Sequence, residues 1–314
     1  MQQRSIRGVA VVGTGTIGMS WAAIFLSRGL EVTASDPAPE AEARLRGFID
    51  AAWPVLARLA PIAATPPHQL LTFCADPETA VASADFVQEN APEREAIKQE
   101  LLARIDAVLP PDIVIASSSS GLISNLQVSC RHPDRVVIGH PFNPPHLIPL
   151  VEVVGGAHTA PATIERAMAF YAAVGKRPIH IRREVKGHVA NRLQAALWRE
   201  AVHLVATGVA SVADVDTAIS EGPGLRWALM GPHLTFHLAG GEGGMAHFLE
   251  QLGPPLESWW DDLGSPRLTP SVRAALAAGV AAEAGGRDIA ALAAERDRFL
   301  VDLLALKKST GGGD

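Results

Sequence analysis

The sequence predicts an α/β protein: a first part built as a mostly parallel sheet wrapped by helices, then an all-helical second part. Three observations lead there. Between residues 9 and 181 short apolar runs alternate with helical stretches, the order that builds βαβ units. A glycine-rich turn, Gly13-Thr14-Gly15-Thr16-Ile17-Gly18, stands between the first such run and the first helical stretch. Beyond Gly187 the alternation stops, and helices separated by Gly and Pro loops follow. The domain boundary is therefore set near Lys186, dividing the chain into residues 1–186 and 187–314.

Taken in order, residues 9–12 form a continuous apolar run, as a strand covered on both faces requires. Residues 21–26 read as a buried helix and residues 31–36 as the second strand. Residues 38–59 have helical composition interrupted at Pro54, and the Pro/Ala-rich residues 61–67 form a surface turn. Further strands are expected at 70–73, 86–89, 113–116, 136–139 and 150–154, with 179–181 closing the sheet. The glycine-rich tail, residues 309–314, is expected to fray.

Composition removes several classes of function. The 314 residues are 48% hydrophobic and 19% charged, enough to build sizeable cores. With 27 Lys+Arg against 33 Asp+Glu, a net charge of -6 and no basic run, nucleic-acid binding is not expected. Charges or glycines break every apolar stretch before the roughly 20 residues that cross a membrane. Met1 to Arg7 runs directly into the first strand with no apolar signal core, so a cytoplasmic location is expected. Cys74 and Cys130 are too few for a disulfide framework or a zinc site and read as buried small hydrophobes. His132, His158, His180 and His203 show no ligand spacing, and no metal is expected.

The glycine turn has the context of a dinucleotide site. Gly13 allows the tight turn, Gly15 lets backbone approach a pyrophosphate, and Gly18 permits close packing of helix on strand. The following helix then offers its first amides, at Thr16 and Ile17, to an anionic group. Asp36, 18 residues past Gly18, ends the next strand; its carboxylate suits the adenine ribose hydroxyls and repels a 2′-phosphate. These features predict a Rossmann-type domain that takes NAD rather than NADP.

His140, in Gly139-His140-Pro141-Phe142-Asn143-Pro144-Pro145, follows a strand at the end where open α/β sheets bind ligands. An imidazole there can exchange a proton with an alcohol near neutral pH. Glu152 lies in the buried run Leu150-Val151-Glu152-Val153-Val154, where a carboxylate is costly unless partnered. From these residues alone, the two are either an imidazole–carboxylate pair or unrelated polar groups.

In the order GxGxxG, Ser119-Ser120 after a strand, His140-Pro141-x-Asn143-Pro144, Glu152 and Asn191-Arg192-Leu193, the chain resembles the 3-hydroxyacyl-CoA dehydrogenase superfamily along nearly its whole length. Within it the chain is most similar to the L-carnitine 3-dehydrogenase branch, with the L-gulonate branch next. The segments behind this are Gln88-Glu89-Asn90-Ala91-Pro92-Glu93-Arg94, Val153-Val154-Gly155-Gly156, Gly224-Leu225-Arg226-Trp227, Met230-Gly231 and Leu238-Ala239-Gly240-Gly241. The resemblance implies that His140 is the base taking the proton from a 3-hydroxyl, with Glu152 as its partner. It implies that Ser120 and Asn191 hydrogen-bond the reacting oxygen and that Glu93 and Lys98 serve the cofactor. It also implies a homodimer.

There are departures from the family pattern. Ser118-Ser119-Ser120-Gly121 stands where Asn-Thr-Ser-Ser is usual, and His188 replaces an aromatic or apolar residue. His188 is read as a structural histidine at a helix start. For a carnitine-like substrate, Trp227 and Phe236, with Phe142, are candidates to face the quaternary ammonium through cation–π attraction. They equally suit a helical core or an interface. Arg226 suits the carboxylate. L-Gulonate and 3-hydroxyacyl-CoA remain alternative substrates, and a non-catalytic NAD-binding protein remains a third reading.

Overall fold

The computed structural model describes residues 5–310. Eight strands build one sheet: β1 Gly8–Val12, β2 Glu31–Ser35, β3 Leu71–Cys74, β4 Phe86–Glu89, β5 Val114–Ser117, β6 Val136–Pro141, β7 Leu150–Gly155 and β8 Arg177–Ile181. Their order is β3-β2-β1-β4-β5-β6-β7-β8. All neighbours run parallel except β6 and β7. The exception has a simple cause. Only residues 142–149 join β6 to β7, whereas a parallel pair needs a crossover of about a dozen residues or more.

Each of the eight apolar runs is a strand, with ends shifted by a residue or two. One shift matters for function. The sequence reading ends the sixth strand at residue 139 and places His140 after it; in the structure β6 continues to Pro141, so His140 is a strand residue. The sheet's amides and carbonyls therefore fix its backbone.

Helices α1 Thr16–Ser27, α2 Ala41–Leu59, α3 Pro77–Val81, α4 Glu95–Val108, α5 Ile123–Leu126 and α6 Pro161–Ala173 cover the sheet. Side-chain alternation along β1 sorts them. Val9 and Val11 join a cluster with Trp21, Phe25, Leu45, Phe170 and Tyr171 from α1, α2 and α6. Ala10 and Val12 join Val81, Leu102, Ile105, Ile123 and Leu126 from α3, α4 and α5. Both faces of the strand are thus buried, which is why its sequence is apolar without a break. Burying each large apolar side chain contributes about 1.5–3 kcal/mol. Pro54 does not end α2: the helix continues to Leu59, held by the buried Ile49, Trp53 and Leu56, and Trp53 donates from Nε1 to the Ala63 carbonyl at 2.8 Å.

The chain divides into two compact units, Met1–Arg192 and Leu193–Asp314. The division falls inside α7, Ala190–Ala206. The second unit continues with α8 Val212–Ser220, α9 Pro223–Trp227, α10 Pro232–Ala239, α11 Gly244–Asp262, α12 Pro270–Ala284 and α13 Ile289–Ser309, and its described residues hold no strand. Helix α8 starts with a capping box, Ser211 and Asp214 bonding each other's backbone. Phe236 of α10 stacks on Phe248 of α11 with centroids 4.7 Å apart. Ser309, where the sequence reading expects fraying to begin, is the last helical residue of α13; the rest of that expectation, on residues 311–314, lies outside the described residues. No helix among the described residues is long and apolar enough to cross a membrane. Cys74 and Cys130 are free and half-buried rather than fully enclosed, and burial pushes the Cys130 thiol up to about 12.

Candidate active site

The three glycines of the turn have three different neighbourhoods. Gly13 has φ +88°, and a Cβ there would stand 2.8 Å from the Asn90 backbone. A Cβ on Gly18 would overlap the Gly13 carbonyl oxygen. The fold itself therefore needs glycine at both positions. Gly15 differs: a Cβ there would meet no atom of the described residues within 4 Å. That open backbone borders the start of α1, where no side chain caps the helix and no acid occupies the first turn. The amides at Thr16 and Ile17 are thus left for an anion, and the local arrangement fits the pyrophosphate of a dinucleotide.

Asp36 stands one residue past β2. Its Oδ2 accepts from Thr14 N at 2.8 Å and Thr14 Oγ1 at 3.1 Å, and its Oδ1 accepts from Ala38 N at 2.9 Å. The carboxylate is thereby fixed beside the glycine turn.

At the end of β4 and β5 is a cluster that the sequence reading resolved only in part. Lys98 is 1% exposed and donates to both oxygens of the buried Glu89, at 2.9 and 3.1 Å. Glu89 also accepts from Ala91 N and from Ser117 Oγ, both at 2.5 Å. Lys98 Nζ lies 3.6 Å from Glu93 Oε2. The other Glu93 oxygen accepts from Ser119 Oγ at 2.6 Å, Ser120 N at 2.8 Å and Ser120 Oγ at 3.0 Å. Partial burial works against the charge of Glu93, but these donors and the Lys98 ammonium outweigh it and hold the carboxyl below its ordinary range. Lys98 is thus enclosed behind Glu93 and ties it to the sheet. Glu89 has no role in the sequence reading, although an acid at the end of a strand is the signal that singles out Asp36.

His140 and Glu152 are register partners across β6 and β7, and Nδ1 lies 3.0 Å from Oε2. The backbone of His140 sits beside Gly139, where a Cβ would overlap the buried Tyr171 ring. Glu152 is fully enclosed. Its Oε1 accepts from Val189 N and Ala190 N, each at 2.9 Å, at the start of α7. Desolvation raises the carboxyl, yet the His140 bond and the two amides lower it further, so Glu152 titrates below its usual value and is ionised. A carboxylate only accepts, so Nδ1 of His140 carries the hydrogen and Nε2 presents a lone pair. Phe142 stands edge-on to His140, centroids 6.0 Å apart. Asn191 is the second residue of α7, directly after the Ala190 amide bonded to Glu152.

His188, read from sequence as a structural helix-start residue, lies beside His140 with ring centroids 5.1 Å apart. Arg226, Trp227 and Phe236 belong to the second unit, on α9 and α10. Among the described residues no cluster of His, Cys, Asp and Glu could hold a metal ion.

A Rossmann sheet with an open glycine turn and a buried imidazole–carboxylate pair defines the class of a dehydrogenase. The chain belongs to the 3-hydroxyacyl-CoA dehydrogenase family: the NAD-binding domain of that family matches residues 8–218, and its C-terminal domain matches residues 187–285. The protein is therefore an NAD-dependent oxidoreductase. It is 56% identical to the L-carnitine dehydrogenase of Streptomyces griseus over 300 residues, 95% of this chain and 89% of that one. It is 50% identical to the L-carnitine dehydrogenase of Bacillus cereus over 307 residues, 98% and 94% of the two chains. Among solved structures it is similar to 5-formyl-3-hydroxy-2-methylpyridine 4-carboxylic acid 5-dehydrogenase, an NAD+-dependent dismutase, with a TM-score of 0.82, 33% identity and coverage of 98% and 99%.

Proposed function

We propose that this protein oxidises the 3-hydroxyl of L-carnitine to give 3-dehydrocarnitine. The observation that carries the reaction type is the buried His140–Glu152 pair, bonded through Nδ1. The relatives at 50–56% identity over nearly the full chain support the substrate. When bound, NAD would supply the hydride acceptor for C3. His140 takes the hydroxyl proton at Nε2, and Glu152 answers the positive charge that the ring then carries. Ser120 and Asn191 hydrogen-bond the reacting oxygen and orient C3. Gly13, Gly15, Thr16, Ile17, Gly18 and Asp36 hold the adenine half of the cofactor, and Glu93, backed by Lys98, lies along its nicotinamide half.

In this reading residues 1–186 serve the cofactor, and residues 187–314 serve the substrate and a homodimer contact. Trp227 and Phe236, with Phe142, face the trimethylammonium group, while Arg226 binds the carboxylate. The enzyme works in the cytoplasm. The test is NADH formation, followed by absorbance at mildly alkaline pH, with L-carnitine, D-carnitine, L-gulonate or 3-hydroxybutyryl-CoA supplied separately. Turnover of L-carnitine above the others is expected. Turnover of a different compound alone would keep the His140 chemistry and discard carnitine.

A further inference from the structure

His188 has a backbone and a side chain that a helix-start filler does not need. Its φ is +52°, directly after Gly187 at +76°. Few non-glycine residues enter this region, histidine more readily than most along with Asn and Asp, and here contacts on both sides of the ring accompany it. The surroundings are specific. The ring is 1% exposed, and Nε2 lies 3.0 Å from the Ser119 carbonyl oxygen. A carbonyl only accepts, so Nε2 carries the hydrogen and Nδ1 is left as an acceptor. That Nδ1 is buried and has no hydrogen-bond partner among the described residues.

We propose that His188 is a positioning residue for proton transfer at His140: it clamps the Ser119–Ser120 turn to the start of α7 and sets its imidazole against the His140 ring. The inference rests on the reading of His140 as the base. The clamp follows from connectivity. Ser119 and Ser120 both bond Glu93, while the residues next to His188 donate their amides to Glu152. One buried ring thus links the turn that bears the oxygen-binding serine to the helix start that fixes the base's partner.

The neighbours bear on the charge of His188. The ionisable groups facing His188 are His140 on β6, Glu152 on β7 and Glu93 after β4. Burial lowers the His188 pKa, and a charged His140 lowers it further, against the pull of the Ser119 bond and the two carboxylates. Burial and the His140 ring both work against a charge on His188. A proton gained by His140 has Glu152 as its counter-ion.

Replacing His188 by Phe keeps a ring but removes the clamp and the polar neighbour of His140. We expect kcat on L-carnitine to fall roughly tenfold to a hundredfold. The acid limb of kcat/KM should move to lower pH by about half a unit or more, because a drier surrounding disfavours the imidazolium of His140. His188→Asn keeps an amide donor on a residue that tolerates positive φ. It should recover part of kcat while the limb stays shifted. Should the Phe variant fail to fold, the Asn variant decides by the same limb. An unshifted limb in a folded, NAD-binding variant would overturn the proposal, leaving a ring that only packs. NMR titration of the His140 imidazole in the NAD-saturated full chain, wild type against variant, needs no substrate. It decides the role of His188 even if carnitine proves not to be turned over, a failure that would retract the substrate reading alone.

Discussion

His140 and Glu152 oppose each other in the only antiparallel register of the described sheet, with Nδ1 3.0 Å from Oε2, and the second oxygen of that carboxylate receives the Val189 and Ala190 amides. A single buried side chain thus joins the proposed base to the start of α7. The antiparallel pairing makes this possible, because it places the two side chains on one face at directly opposed positions.

Replacing His140 by Gln removes the titrating lone pair and retains a side chain of similar reach. Turnover should fall by about 10²–10⁴-fold. Affinity for NAD, measured by fluorescence titration, should stay within a few-fold of wild type. Unchanged turnover would rule out His140 as the base.

Glu152→Gln tests the carboxylate through its pH dependence. The folded protein holds this group below its ordinary value of 4.5, so its contribution to stability is complete above that value and is lost as pH falls below it. Urea unfolding of wild type and variant should therefore differ by about 1–3 kcal/mol near neutrality. The gap should narrow steadily below pH 4.5. A gap that ignores pH would assign the loss to packing.

The glycine turn separates folding from binding. Gly18→Ala forces a Cβ into the Gly13 carbonyl and should lower the melting temperature sharply. Gly15→Ala meets open space in the protein, so its melting temperature should hold while NAD affinity drops. Equal effects of the two substitutions would contradict a ligand approaching at Gly15.

Lys98→Met leaves the buried Glu89 carboxylate without its cation. Breaking such a pair from one side costs about 3–5 kcal/mol. Thermal unfolding should show this even without NAD. Stability equal to wild type would contradict a structural role for the Lys98–Glu89 pair.

Trp227 and Phe236 are equally exposed, at 38% and 37%, but Phe236 is stacked on Phe248, so replacing Trp227 by Ala is the cleaner probe of an ammonium site. A lost cation–π contact of about 0.5–2 kcal/mol corresponds to a rise in KM for L-carnitine of a few-fold to roughly thirtyfold. NAD affinity should not change. A constant KM would return this tryptophan to a packing role.

The strand–helix alternation, the glycine turn with Asp36, and the helical character beyond residue 187 were all legible in the sequence. Each is a local pattern: apolar runs, glycine spacing and loop composition report directly on backbone preferences and on burial of the nearest side chains. The same holds for His140 and Glu152 as unusual residues in apolar surroundings. Their pairing was one of two readings of the residues, favoured by the family resemblance; its geometry was not legible, since it depends on β6 running two residues further than its apolar run and on the short 142–149 link that forces an antiparallel register. The Lys98–Glu89 pair and the capture of Glu93 by Ser119 and Ser120 likewise join different elements. His188 is the furthest case. Its partner Ser119 lies 69 positions away, and its backbone is left-handed, neither of which its place in the sequence announces. Sequence by itself determined which elements form and which residues are chemically out of place. Only the tertiary structure decided which of those residues meet, because hydrogen bonds between distant strands and loops exist only once the sheet has aligned them.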